Sequence, residues 1–372
     1  MKIGILTLPL HTNYGGILQA YALQTVLERM GHDAVLLDTP PHKQLNFSQK
    51  VKFYPKRIIR KFLLGRDIDI FIEENIYKAY PVISQFTKPF IDTYLRRTVI
   101  NDLSNLPKNS FDAIVVGSDQ VWRPSYFGKI ENAYLEFASS WDLKRLSYAP
   151  SFGTDEWEYD SEQTTTCAKL LAKFNAVSVR EASAVKLCKE HFGITATHVM
   201  DPTLLLEAAD YVQIITKSGI GESKGTMLNY ILDETDEKNN LINKIAAERK
   251  LIPFRVNSKV ENLKAPLEER IQPPVEQWLR GFYDAEFVIT DSFHACVFSI
   301  IFNKPFLVVG NKARGLARFE SLLEMFDLRD KLVSSVDDLV FENLNNFDWQ
   351  KINAVLKIKR TESFNFLEAI LK

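Results

Sequence analysis

The residues best suited to chemistry stand where apolar segments end. His294, in Thr290-Asp291-Ser292-Phe293-His294, follows an apolar run. Its type suits proton transfer near neutral pH, although a lone histidine serves a structural role as readily. Arg180 ends the run NAVSV. A charge there must be paired, and its planar fork fits either a carboxylate or a phosphate. Glu181 or Asp201 could be that partner inside the chain, and an anionic ligand could be one instead. Lys312, Arg314 and Arg318 follow Gly310, where they suit either an anion site or a solvated helix start. Gly117-Ser118-Asp119-Gln120 places a carboxylate and an amide beside a small residue. Asp119 could accept from, or deprotonate, a sugar hydroxyl, and the same residue types also cap helices. Trp122 fits a core, a cleft wall or a stacking platform for a sugar ring. Ser151 lies in the small-residue turn Ser151-Phe152-Gly153. Asn13-Tyr14-Gly15-Gly16 lets the backbone turn tightly into a helix, whose N-terminus favours an anion or an electron-rich oxygen.

Other chemistries are weakly supported. Asp38 lies about twenty residues beyond the glycines, as a ribose-binding acid would, but the G-x-G-x-x-G spacing is missing. So is the GxxxxGK[ST] phosphate loop, and the six histidines show no HExxH-like metal spacing. No metal or cofactor is expected. With 46 Lys+Arg against 47 Asp+Glu, the chain lacks the basic excess of a nucleic-acid binder. Cys167, Cys188 and Cys296 are far apart and odd in number, which suggests a reduced, cytoplasmic setting. The opening MKIGILTLPLHT has too short an apolar run for a signal peptide, and no stretch is long enough to span a membrane. The basic, aromatic stretch Lys43–Arg66 suits a solvated face, a diphosphate-linked acceptor or peripheral contact with a membrane surface.

These residues need elements to position them. KIGILTL, DAVLLD, FDAIVVG, RLSYAP and NAVSV read as short buried strands, with helix-patterned stretches between most of them. GILQAYALQTVLERM places Leu18, Ala22, Leu23, Val26 and Leu27 at helical spacing. Residues 40–105 read as a helical insertion. GTMLNYILD, LIPFRVNS, FVIT and KPFLVVG repeat the alternation in the second half. The pattern predicts an α/β protein with parallel sheets covered on both faces, active at the carboxyl ends of their strands. At 372 residues the chain should form two domains. Asp201-Pro202 breaks the chain direction, so the expected division is 1–205 and 206–348, with a terminal helix at 349–372 packing back on the first.

Taken in order, NYGGILQAYAL, VGSDQVW, SYAPSFG, AVSVRE, VMDPTLLL, ITDSFHACVFSIIFNKPF and RFESLLEMF resemble the polysaccharide pyruvyl transferase family, in a sub-branch with a Ser-Phe-His motif. The resemblance implies two Rossmann-like domains facing a cleft, as in GT-B glycosyltransferases. It implies phosphoenolpyruvate as donor, and as acceptor a sugar within a polysaccharide or its precursor, free or carried on a lipid-linked oligosaccharide. The product would be a cyclic pyruvate ketal used in a bacterial cell envelope. It further implies that Arg180 grips donor phosphate or carboxylate, that His294 is an acid/base or phosphate ligand, and that Asn13, Gly15 and Gly16 form the first-domain loop. With the residues read above, catalysis is expected from His294, Asp119 and Arg180, and donor binding from Arg180, Ser292, His294, Lys312, Arg314 and Arg318. Acceptor contacts would come from Asn13, Gly15, Gly16, Ser118, Asp119, Gln120, Trp122 and Ser151. Many members carry an arginine where this chain has Ser292; Arg314, Arg318 or Arg255 would have to replace it, or the donor differs. A nucleotide-sugar glycosyltransferase and a non-catalytic family member are the competing readings.

Overall fold

The computed structural model describes residues 1–40, 45, 47–310, 315–335 and 339–372. The strands form two parallel sheets. The first contains β1 (Lys2–Leu6), β2 (Asp33–Asp38), β3 (Arg97–Val99), β4 (Ala113–Val116), β5 (Lys144–Ser147), β6 (Ala176–Val179) and β7 (Thr197–His198), in the order β3-β2-β1-β4-β5-β6-β7. The second contains β8 (Met227–Tyr230), β9 (Pro253–Phe254), β10 (Phe287–Thr290), β11 (Phe306–Val309) and β12 (Leu332–Val333), in the order β12-β11-β10-β8-β9. Ile3, Ile5, Ile114, Val115, Val288 and Ile289 are fully buried, which is why these strands read apolar along their whole length.

Connections run through α1 (Tyr14–Arg29), α5 (Ser161–Leu171), α6 (Ala182–Leu187), α7 (Ala208–Ser218), α8 (Asp236–Arg249), α9 (Val275–Asp284), α10 (Phe293–Ile301) and α11 (Ala317–Met325). The expected helical insertion contributes α2 (Phe47–Phe62), α3 (Ile72–Ile83) and α4 (Lys88–Tyr94). It then returns to the sheet as the edge strand β3. That three-residue strand is too short for a legible alternation.

The two halves share apolar packing. Tyr14 stacks on Trp278 at 5.4 Å between ring centroids. Its hydroxyl donates to the Pro273 carbonyl at 2.7 Å. The final helix, α12 (Trp349–Leu371), crosses back to the first half. There Lys144 Nζ donates to the Ile370 carbonyl at 2.7 Å and Arg360 Nε to the Leu204 carbonyl at 2.9 Å. Met200 N–H donates to Ser363 Oγ at 3.2 Å. Cys167, Cys188 and Cys296 are buried and free.

Candidate active site

A cleft of about 780 Å³ lies where strand exits of the two sheets face each other. From the first half it is lined by His11, Thr12, Asn13, Gly15, Asp119 and Gln120, and from the second by Tyr230, Ser292, Phe293, His294, Arg270 and Arg318.

Each side of the junction is built by local rules. Asn13 caps α1, its Oδ1 accepting from Gly16 N–H at 3.3 Å. The cap turns the helix N-terminus toward the cleft. Gly15, in the first turn, is there because nothing larger fits: a Cβ on it would lie 2.0 Å from His294 Nδ1. On the other side, β10 ends in Asp291, whose carboxylate accepts from Leu232 N–H at 2.7 Å, Asp233 N–H at 3.1 Å and Lys238 Nζ at 2.7 Å. Asp291 therefore fixes the exit of β8 at the cleft wall. His294 follows in the first turn of α10, with its imidazole held between Gly15 and Asp201.

Asp201 is the hub of the buried charges. Its Oδ2 is 3.5 Å from His294 Nε2 and 2.8 Å from Arg180 Nη1, and accepts from Ser118 Oγ at 3.2 Å. Its Oδ1 accepts from Thr203 Oγ1 at 2.7 Å. Burial pushes the Asp201 carboxyl up, but His294 and Arg180 outweigh it and hold the group well below the ordinary carboxylate range. Arg180 also lies 3.5 Å from Glu181 and 3.8 Å from Asp119 Oδ1. Burial disfavours the Arg180 charge, yet Asp201, Glu181 and Asp119 raise its pKa. Burial raises Glu181, with Arg180 among the groups pulling it back.

Phe293 couples the halves. Its ring centroid is 4.5 Å from the Arg180 guanidinium and 5.7 Å from that of Arg318. Burial, helped by the neighbouring Arg180 charge, lowers Arg318 to about 10.

The structure thus divides the expected residues. Asn13, Gly15, Asp119, Gln120, Ser292, His294 and Arg318 line the cleft. Gly16 lies just behind, its position facing Asp119 Oδ2. Asp119 itself has a φ of 68° and its carbonyl accepts from Ser151 N–H at 2.9 Å. A left-handed non-glycine residue stores strain that the surroundings must hold in place. Arg180 stands behind the cleft wall, with its intramolecular carboxylate partners. Ser118 and Ser151 are fully buried, Ser118 on Asp201 and Ser151 accepting from Gly153 N–H at 2.9 Å. Trp122 belongs to the core: it stacks on Tyr134 at 5.0 Å and donates to the Ala133 carbonyl at 3.2 Å. It is therefore no platform for a sugar. Lys312 and Arg314 lie outside the described residues. Arg255 pairs with Glu234 at 2.8 Å on the surface. Asp38, the would-be ribose acid, pairs with Arg97 at 2.5 Å. Among the described residues no cluster of His, Cys, Asp and Glu could hold a metal.

Arg270 escaped the sequence reading. It is 7% exposed, lines the cleft, and its guanidinium makes no hydrogen bond or ion pair with described residues. The run EERIQPP carries no motif; only the fold brings this loop beside Thr12, whose carbonyl accepts from Gln272 Nε2 at 3.1 Å.

Two parallel α/β halves facing a polar, cation-bearing cleft define a GT-B-type fold. A solved structure agrees on the fold. The Listeria monocytogenes protein crystallised as a UDP-N-acetylglucosamine 2-epimerase matches at 11% identity and a TM-score of 0.51, over 100% of this chain and 97% of that one. The S. aureus MnaA–UDP complex matches at 12% and 0.46, over 98% and 91%. The E. coli heptosyltransferase WaaC with ADP matches at 11% and 0.37, over 96% and 100%. No curated protein matches by sequence. The model of the polysaccharide pyruvyl transferase family matches residues 13–313, and the chain belongs to that family of transferases.

Proposed function

We propose that the cleft transfers a pyruvyl group from phosphoenolpyruvate to two hydroxyls of a sugar in a polysaccharide or its precursor, including a lipid-linked one. The observation that carries this reading is the His294–Asp201 pair held against Gly15 at the edge of the cleft.

Asp201 facing Nε2 favours a proton on that nitrogen and leaves Nδ1 as the basic atom. His294 then relays a proton: it accepts one from an acceptor hydroxyl and supplies one to C3 of the enol. C2 becomes oxocarbenium-like and the first hydroxyl oxygen bonds to it. The C2–O bond to phosphate breaks, the second hydroxyl oxygen closes the ring, and its proton leaves with the phosphate. Asp119, held in its strained turn, orients the acceptor. Arg270, Arg318 and the α1 N-terminus face the donor anion, electrostatic help aimed at charge that moves during reaction. Arg318 takes the part left open by Ser292. Arg180 acts through Asp201, as a positioning residue.

The test is incubation with phosphoenolpyruvate and candidate glycans, reading phosphate release and, by mass spectrometry, an added pyruvyl group. The reading fails if no acceptor yields phosphate while a nucleotide sugar alone raises the melting temperature.

A further inference from the structure

Helix α2 is oriented the wrong way round for a helix in water. The face it turns inward is mixed, held by ion pairs and one ring contact: Tyr54 packs edge-on against Phe71 at 5.0 Å between centroids and its Oη donates to Glu74 at 2.9 Å, and Arg57 forms an ion pair with Glu73 at 2.6 Å. Phe47, Val51, Ile58 and Phe62 fall within about 60° of one another around the helix. They are 83%, 59%, 43% and 72% exposed. Leu63 and Leu64, just beyond the helix, are 77% and 62% exposed. A soluble helix normally buries such a stripe.

The charge is equally one-sided. Residues 47–66 hold seven basic residues and no acidic one, in a chain of net charge −1. Lys52, Lys56, Arg60, Lys61 and Arg66 form no ion pair with described residues. A second copy of the chain seated on this face would set two such arrays against each other, at an electrostatic cost. An anionic lipid surface satisfies both features at once: headgroups neutralise the cations and the acyl boundary takes the apolar stripe. Among the described residues no helix is long and apolar enough to cross a membrane, so the contact would be peripheral.

We propose that α2 and the residues up to Arg66 form an interfacial helix that seats this enzyme on anionic membranes. Helix α3, to which α2 is tied, contributes Ile76 and Ile83 to the cleft wall. Docking through α2 places the cleft beside the bilayer, where a lipid-linked acceptor is presented. Only that last use rests on the proposed reaction; the membrane contact stands apart from it.

The full-length protein is sedimented with phosphatidylcholine vesicles and with vesicles rich in phosphatidylglycerol. It should partition to the second and not the first, and raised salt should release it. Lys52→Gln with Lys56→Gln should weaken partition on the order of thirtyfold, the effect of two basic residues beside an anionic surface. Phe47→Ser with Phe62→Ser should weaken it at least as much, with the melting temperature unchanged because both rings are exposed. Equal binding to both vesicle types, or variants that bind like wild type, overturns the proposal. So does a wild-type dimer in light scattering that the phenylalanine variant converts to monomer. Phosphate release with a water-soluble acceptor, unchanged in these variants, separates failure of this contact from failure of the reaction.

Discussion

The His294 imidazole and Gly15 are in direct contact across the two halves of the molecule: a methyl group on Gly15 would lie 2.0 Å from Nδ1. The helix that follows the first strand and the helix that follows β10 thus meet where one glycine permits it. The ring is held from the other side by Asp201 at 3.5 Å, so its position is set by both halves together.

Gly15→Ala tests that contact. The added methyl must push the ring or the helix aside, an overpacking cost of about 1–3 kcal/mol in stability. A reacting nitrogen displaced by about 1 Å should lower kcat/KM on the order of a hundredfold. Gly16→Ala is the control, since its Cβ would meet Asp119 Oδ2 at an ordinary 3.6 Å. Steady-state kinetics and thermal melts should show the first variant impaired and the second close to wild type. Equal behaviour of the two would remove Gly15 from the account of the site.

Arg180 and Arg270 should separate stability from anion binding. Arg180→Ala strands Asp201 and Glu181 without their cation, and breaking such a buried pair costs about 3–5 kcal/mol. Arg270→Ala removes a guanidinium that no described residue pairs with, so unfolding in urea should show stability unchanged or increased. The same variant should lose most of the thermal shift given by phosphoenolpyruvate. A large loss of stability in Arg270→Ala, with the shift retained, would assign that residue a structural role instead.

Asp201 fixes the direction of acid sensitivity. Its folded-state pKa lies well below the ordinary 3.8, so it contributes stability that is present above that value and is lost as pH falls from it toward the folded pKa. The unfolded chain takes up the proton first. Asp201→Asn should therefore be less stable than wild type at neutral pH, and the gap should narrow below about pH 4. Urea titrations of both proteins across that range give the comparison; a gap that widened in acid would contradict the pairing with His294 and Arg180.

Arg318 gives an alkaline limb. Burial and the Arg180 charge bring it down to about 10, so it stays charged at neutral pH and loses its proton as pH rises through that value. Donor affinity, measured by calorimetry, should be level near neutrality and weaken above pH 10. The lowered pKa means the unfolded arginine holds its proton where the folded one does not. Stability gained from this group accordingly rises, rather than falls, above 10. In Arg318→Gln the alkaline weakening of donor binding should disappear.

Much of the scaffold is set by local patterns. Lys2–Leu6, Ala113–Val116 and Phe287–Thr290 are strands because runs of apolar, often β-branched residues fit between two covered faces. Turns at their ends, glycine-bearing after the first and fourth strands, mark where ligands can approach, and Asn13, Gly15, Asp119 and His294 at such exits line the cleft. What a linear chain does not encode locally is which side of a wall each residue occupies. Arg180 and Trp122 read as site residues and lie in the interior, one neutralised by Asp201, the other packed on Tyr134. Arg270 carries no motif, and becomes a cleft residue only because its loop is tied beside Thr12 through Gln272. Helix α2 shows the same division: its basic, aromatic composition was legible, but that its apolar stripe points outward was decided by the ion pairs of Arg57 and Lys50 with Glu73 and Glu74. Short-range spacing specifies strands, helices and turns, whereas burial and charge pairing depend on residues far apart in the chain that meet only when the two sheets close on each other.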